Sequence, residues 1–134
     1  MKIKIADLNE TQLKDYLIAS AYMKDMPPDK LELTLNKYKK AGDAGEREGI
    51  QKILTEAHLK MVVYIANRYR GAGLSFAKLI KEGNLGLIDA VKKWEGPENG
   101  DFVPYLVWNI EGAVIEALIR NKKSVKEENY HGQK

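Results

Sequence analysis

Few side chains in this sequence are of the types that carry out catalysis, and their neighbours do not prepare them for it. There are two histidines, His58 and His131, and no cysteine, which excludes thiolate nucleophiles, disulfides and cysteine-ligated zinc. His58 stands beside Lys60 and Met61 with no partner at the spacing of an HExxH site, and reads as a partly exposed or capping histidine. His131 lies in a polar terminal stretch. The acidic pairs Glu46/Glu48 and Glu127/Glu128 lack the apolar surroundings that would raise a carboxyl pKa for acid–base work. Gly71 and Gly73 are not followed by the lysine and hydroxyl residue of a phosphate-binding loop. No catalytic residue, metal ligand or cofactor is expected.

The remaining chemistry is that of binding surfaces. The net charge of +3 is unevenly spread. Residues 1–55 carry ten basic and nine acidic side chains, and residues 56–95 carry seven and four. Residues 96–119 hold Glu98, Asp101, Glu111 and Glu116 with no lysine or arginine, and the chain turns basic again from Arg120. A protein that grips a nucleic-acid backbone concentrates positive charge where the phosphates lie, and residues 96–119 do the reverse. Phe102, Tyr105 and Trp108 stand in that same stretch. Their helical spacing suits either core residues or platforms on which bases stack.

The elements that must position these groups read as helices throughout. Asn9 with Gln12 forms a capping box ahead of the stripe Leu13, Tyr16, Leu17 and Ala21. Pro27 and Pro28 separate it from a second helix bearing Leu31, Leu35 and Tyr38. Asp43 caps a long third helix in which Ile50, Ile53, Leu54, Ala57, Met61, Ile65 and Tyr69 recur at intervals of three and four. Ser75 caps a short helix with Phe76, Leu79 and Ile80, and Gly83 with Asn84 allows a bend before another carrying Leu85, Leu87, Ile88, Val91 and Trp94. Residues 95–100 form a turn, and Asp101 caps a strongly apolar last helix with Pro104 in its first turn. No β-hairpin signal is present. The fold expected is an all-α, compact helical bundle with an N-terminal helical arm (1–42), a helical domain (43–120) and a flexible basic tail (121–134). No run approaches the roughly 18 apolar residues of a membrane span, and no secretory signal is visible, so a cytoplasmic protein with no membrane partner is expected.

Residues 54–94, LTEAHLKMVVYIANRYRGAGLSFAKLIKEGNLGLIDAVKKW, resemble the second conserved region of the sigma-70 family of RNA polymerase sigma factors, the core-binding and promoter-melting domain. Residues 56–62 match an EANLRLV-type helix, 69–76 a YRGxGLSF-type turn, 78–87 a DLIQEGNxGL-type helix, and 102–109 an FSTYATWW-type aromatic segment. The resemblance implies a helical domain without enzymatic activity whose partner is bacterial RNA polymerase core, bound at a coiled coil of the largest catalytic subunit. The positions it assigns to docking are Leu79, Ile80, Glu82, Asn84 and Ile88. Lys78 and Lys81 belong to the same patch but depart from the family, where an acid and a glutamine are common. The bland alternative is that Glu82 is solvated and Asn84 caps the following helix.

For promoter DNA, the resemblance implies that Phe102, Tyr105, Trp108 and Asn109 occupy the positions that hold the displaced non-template strand. Here too the chain departs from its relatives. An aromatic is lost near Gly100, a tryptophan is replaced by Asn109, and basic or polar residues are replaced by Asp101, Glu111, Gly112 and Glu116. Acids without compensating bases repel phosphate. Only sixteen residues follow Leu118, too few for a further folded domain, so a reduced protein and a fragment are both open. Three readings result: a sigma-like initiation factor or regulator on polymerase, a helical interaction module that pairs with another protein or with a second copy through Val103, Leu106 and Val107, and a single-stranded DNA binder.

Overall fold

The structure is a computed structural model that describes residues 2–22 and 26–132. Among the described residues the periodic stretches become α1 (Glu10–Tyr22), α2 (Pro28–Lys40), α3 (Ala44–Ala57), α4 (Leu59–Asn67), α5 (Phe76–Lys93) and α6 (Phe102–Gly132). This is the all-α bundle that the spacing predicts. Local signals set the helix starts. Asn9 and Gln12 exchange bonds of 2.8 and 3.0 Å between side chains and backbone N–H groups, and Pro28 opens α2. Asp43 accepts from the Glu46 N–H at 2.8 Å, and Ser75 from that of Lys78 at 3.2 Å. Each cap satisfies a donor that the first turn leaves unpaired.

Helix α5 is central and packs on α3, α4 and α6. Leu54, Val62, Ile65, Leu87, Val91, Leu106, Val107 and Ile110 form the main core, while Ala66, Leu79, Val114 and Leu118 extend it towards the start of α5. The second helix is tied in by Tyr38, whose hydroxyl donates to the Val91 carbonyl at 2.9 Å and accepts from Gln51 at 3.0 Å.

The helix boundaries differ from the sequence expectation in three places. The long helix expected from Asp43 to Tyr69 is broken at His58, where φ is −114° and ψ is 9°. The imidazole is buried rather than partly exposed, with Nδ1 2.6 Å from the Leu54 carbonyl and the ring edge-on to Phe102 at 5.6 Å. A carbonyl partner requires the proton on Nδ1, and burial pushes the histidine pKa down. Conversely, no bend occurs at Gly83 and Asn84, and α5 is continuous. Its glycines are close-contact positions instead. A β-carbon on Gly83 would stand 2.7 Å from Val62 Cγ1, and one on Gly86 2.6 Å from Ala113 Cβ. Finally, α6 extends past Ile119 to Gly132, with Asn121 Nδ2 donating to the Gly73 carbonyl at 3.1 Å.

The sequence gives no sign of β pairing, yet Ile3 forms an isolated parallel bridge with Gly100. The Ile3 N–H donates to the Asn99 carbonyl and the Asp101 N–H to the Ile3 carbonyl, both at 2.8 Å. Gly100 has φ +95°, and a β-carbon there would collide with the Ile3 backbone. Both facts require glycine at this position. Val103, Leu106 and Val107, the residues expected to pair with a second copy, lie in the chain's own core. The stretch Phe102–Glu127 is long and apolar enough by length and composition to cross a membrane, but 56% of its apolar 18-residue window is buried inside the bundle, as in a core helix.

Gly86→Ala should lower stability by about 1–3 kcal/mol, because the Ala113 methyl and the α6 backbone leave no room for a methyl group. Gly112→Ala, on the open face of α6 with nothing nearby, should instead raise it by about 0.5–1 kcal/mol. Urea denaturation of both variants checks the pair.

Candidate functional site

The docking positions implied by the resemblance fall on α5, where burial sorts them. Leu79 is fully buried and belongs to the core, and Ile80 is partly buried against it. Lys78, Lys81 and Ile88 are exposed, while Glu82 and Asn84 are half-buried. Leu85, 52% exposed, completes an outward face with Lys81 and Ile88 that helical spacing puts on one side. The sequence reading missed its orientation, because Leu85, Leu87 and Ile88 are all apolar and only Leu87 faces the core. Beside Ile88 a shallow cleft of about 390 Å³ is lined by Gln51, Lys52, Thr55, Glu56 and Lys92. Glu82 is not a freely solvated acid. Its Oε1 lies 3.3 Å from Lys78 Nζ and its Oε2 3.2 Å from an Arg120 amine. Asn84 does not cap a helix, since α5 continues through it, and its Oδ1 is buried without a hydrogen-bond partner among the described residues.

The aromatic positions sort in the same way. Phe102 is a core residue, packed edge-on against Trp94 at 5.1 Å. Tyr105 is buried, which pushes its hydroxyl pKa up. Trp108 and Asn109 are half-buried, and the Asn109 amide donates back to the Tyr105 carbonyl at 2.7 Å. A stacking platform needs an open ring face, and of the three aromatics Trp108 is the one that is not buried.

The acids of residues 96–119 also divide. Glu98, Asp101 and Glu116 are exposed. Glu111 is buried and does have a compensating base, contrary to the expectation from the local sequence. It accepts from Arg68 at 3.3 Å and from the Tyr69 hydroxyl at 3.0 Å, and Arg68 also pairs with buried Asp15 on α1. Burial raises the Asp15 pKa to about 6 despite the attraction of Arg68, with Glu111 adding to the rise. Burial, and then the bond to Glu111, push Tyr69 up to about 12. Arg68 lies 43 residues from Glu111 and 53 from Asp15, so no spacing rule reveals the cluster.

The profile of sigma-70 region 2 matches residues 54–124, which takes in α4, α5 and most of α6. The chain belongs to the sigma-70 region 2 family. This region is a non-catalytic regulatory domain. The chain is 40% identical over 95 residues to the RNA polymerase sigma factor SigA of Clostridium acetobutylicum, covering 71% of this chain and 24% of that protein. It is 38% identical over 86 residues to SigA of Lactococcus lactis subsp. cremoris, covering 64% and 23%. Against RpoH of Rhizobium radiobacter it is 38% identical over 89 residues, covering 66% and 29%. The chain thus spans about a quarter of the length of these curated relatives. Helices α1 and α2 lie outside the region 2 match, yet α1 is bound to it through Asp15 and Arg68.

The two buried titrating groups act in opposite directions on stability. The folded-state pKa of Asp15 lies above its unfolded value, so its contribution is fully present below 3.8 and is lost as pH rises through about 6. His58 is lowered from 6.5, so its contribution is present above that value and lost as pH falls. Between pH 7 and 5, wild type should therefore gain about 1 kcal/mol relative to Asp15→Asn and lose stability relative to His58→Gln. Urea titrations across that range read both differences.

Proposed function

We propose that this region 2 chain is a sigma-like transcription factor or regulator that docks on core RNA polymerase through the outward face of α5. The reading rests chiefly on one observation. Lys81, Leu85 and Ile88 are exposed along a helix whose opposite side is fixed in the core, with the half-buried Glu82 carboxylate at the edge. Aliphatic side chains rimmed by charge are the composition of a protein-binding hot spot. The partner surface is the coiled coil of the largest catalytic subunit, and residues 43–120 are the docking unit. Lys78 and Lys81 tune partner choice and encounter rate, because charges at a rim act on these more than on the existence of binding.

Promoter melting by this chain alone is the weaker part of the family role. Phe102 and Tyr105 are committed to the core, Asp101 and Glu116 face solvent, and Trp108 is the aromatic with surface to offer. One half-buried ring beside exposed acids is a poor single-strand platform. On this reading the DNA contacts come from outside this domain, or the domain occupies the sigma site and diverts the enzyme.

Competition against a housekeeping sigma factor for purified bacterial core polymerase tests the proposal. Wild type should compete, and Leu85→Asp and Glu82→Lys should each weaken it about tenfold or more, a cost of roughly 1.4 kcal/mol. Competition unaltered by either variant would sink the α5 face as the docking surface. In the same assay without polymerase, a salt-sensitive single-strand affinity lost in Trp108→Ala would favour the DNA-binding reading instead.

A further inference from the structure

The arrangement around Glu82 goes beyond what docking requires. Both oxygens of this carboxylate already face a cation, Lys78 from the preceding turn of α5 and Arg120 from α6. The Glu82 side chain is only 15% exposed, whereas that of Arg120 is 63% exposed, so the guanidinium lies over the acid from the solvent side. The α6 segment bearing Arg120 is fastened there. Asn121 bonds the Gly73 carbonyl in the loop before α5, and Leu74, Lys78, Glu82, Ala117 and Ser124 line a cleft of about 250 Å³ with Arg120 and Asn121. A partner that reads Glu82 must bring a cation to it. A fourth positive group beside Lys78, Lys81 and Arg120 is repelled unless one of the three withdraws. Lys78 is held close by its helical register, so Arg120 is the group that can leave.

We propose that Arg120 masks Glu82, so that α6 competes with the docking partner for the carboxylate and docking requires the Arg120–Glu82 pair to open. The inference rests on the α5 docking reading and adds its regulation: any change that occupies Arg120 elsewhere unmasks the site, an anionic ligand or phosphate on this edge of α6 among them. Because the pair is partly solvated, the mask is modest and weakens with salt.

The test is equilibrium binding of the full chain to core polymerase for wild type, Arg120→Gln, Glu82→Gln and the double variant. Thermal melting confirms that each is folded, as expected for a residue as exposed as Arg120. Arg120→Gln should bind about two- to five-fold more tightly at low salt, the range of a partly exposed ion pair. That gain should vanish in the Glu82→Gln background and shrink at high salt. Unchanged or weaker binding by Arg120→Gln would overturn the mask, the latter meaning that Arg120 positions Glu82 for docking. A gain that persists in the Glu82→Gln background would overturn it as well. If wild type and Arg120→Gln both fail to bind any core polymerase offered, the docking reading itself falls and takes the mask with it.

Discussion

Helix α5 approaches its neighbours so closely that two of its positions have no room for a methyl group. Gly83 meets Val62 on α4, and Gly86 meets Ala113 and the backbone of α6. Interiors are packed at crystal-like density, so contacts of this kind fix the axial and rotational setting of a helix and not merely its presence. Once α5 is seated, Leu79, Leu87 and Val91 are committed inward, and Lys81, Leu85 and Ile88 can only face out. The proposed docking surface is thus the reverse side of the packing. The core of the bundle and the face it offers a partner are set by the same two glycines.

The polar cluster of Asp15, Arg68, Glu111 and Tyr69 performs a second fixing task. Charges taken out of water are costly, and a buried pair is poor proof of net stabilisation. Its consequence here is specificity of placement, because α1 can satisfy Arg68 only where Asp15 lies against α4 and α6. The raised pKa of Asp15 records the desolvation that Arg68 does not fully offset. The cluster also alters the electrostatics of α6. Glu111 is turned inward and compensated, and the exposed acids Asp101 and Glu116 remain to oppose phosphate. The parallel bridge to Ile3 gives Gly100 a comparable explanation. At that point the chain makes a backbone contact that no other residue permits.

The two halves of the family role therefore have different support in this molecule. The proposed docking side of α5 is presented whole, with exposed aliphatics and a carboxylate held in an ion-pair cluster. On α6, two of three aromatic positions serve the core.

What the sequence determined by itself was whatever depends on neighbours along the chain. Helix starts at Asn9, Pro28, Asp43 and Ser75 follow from side chains that reach their own first turn, and the all-α class follows from apolar spacing. Motif similarity reached the family because residues 54–94 run without interruption. Tertiary structure decided the rest. Gly83 reads as a bend in isolation and becomes a contact only because Val62 stands across from it. His58 reads as an ordinary helical residue, and the break there goes with burial of its ring against Phe102, 44 positions along. Leu85 and Leu87 are equally apolar, and only the seating of α5 puts one out and one in. Arg120 beside Glu82 and Arg68 beside Glu111 lie 38 and 43 residues away, so part of the charge each acid presents was settled by folding. Local hydrogen bonds and periodicity act over a few residues, whereas desolvation, steric exclusion and ion pairing act over whatever the fold brings within a few ångströms.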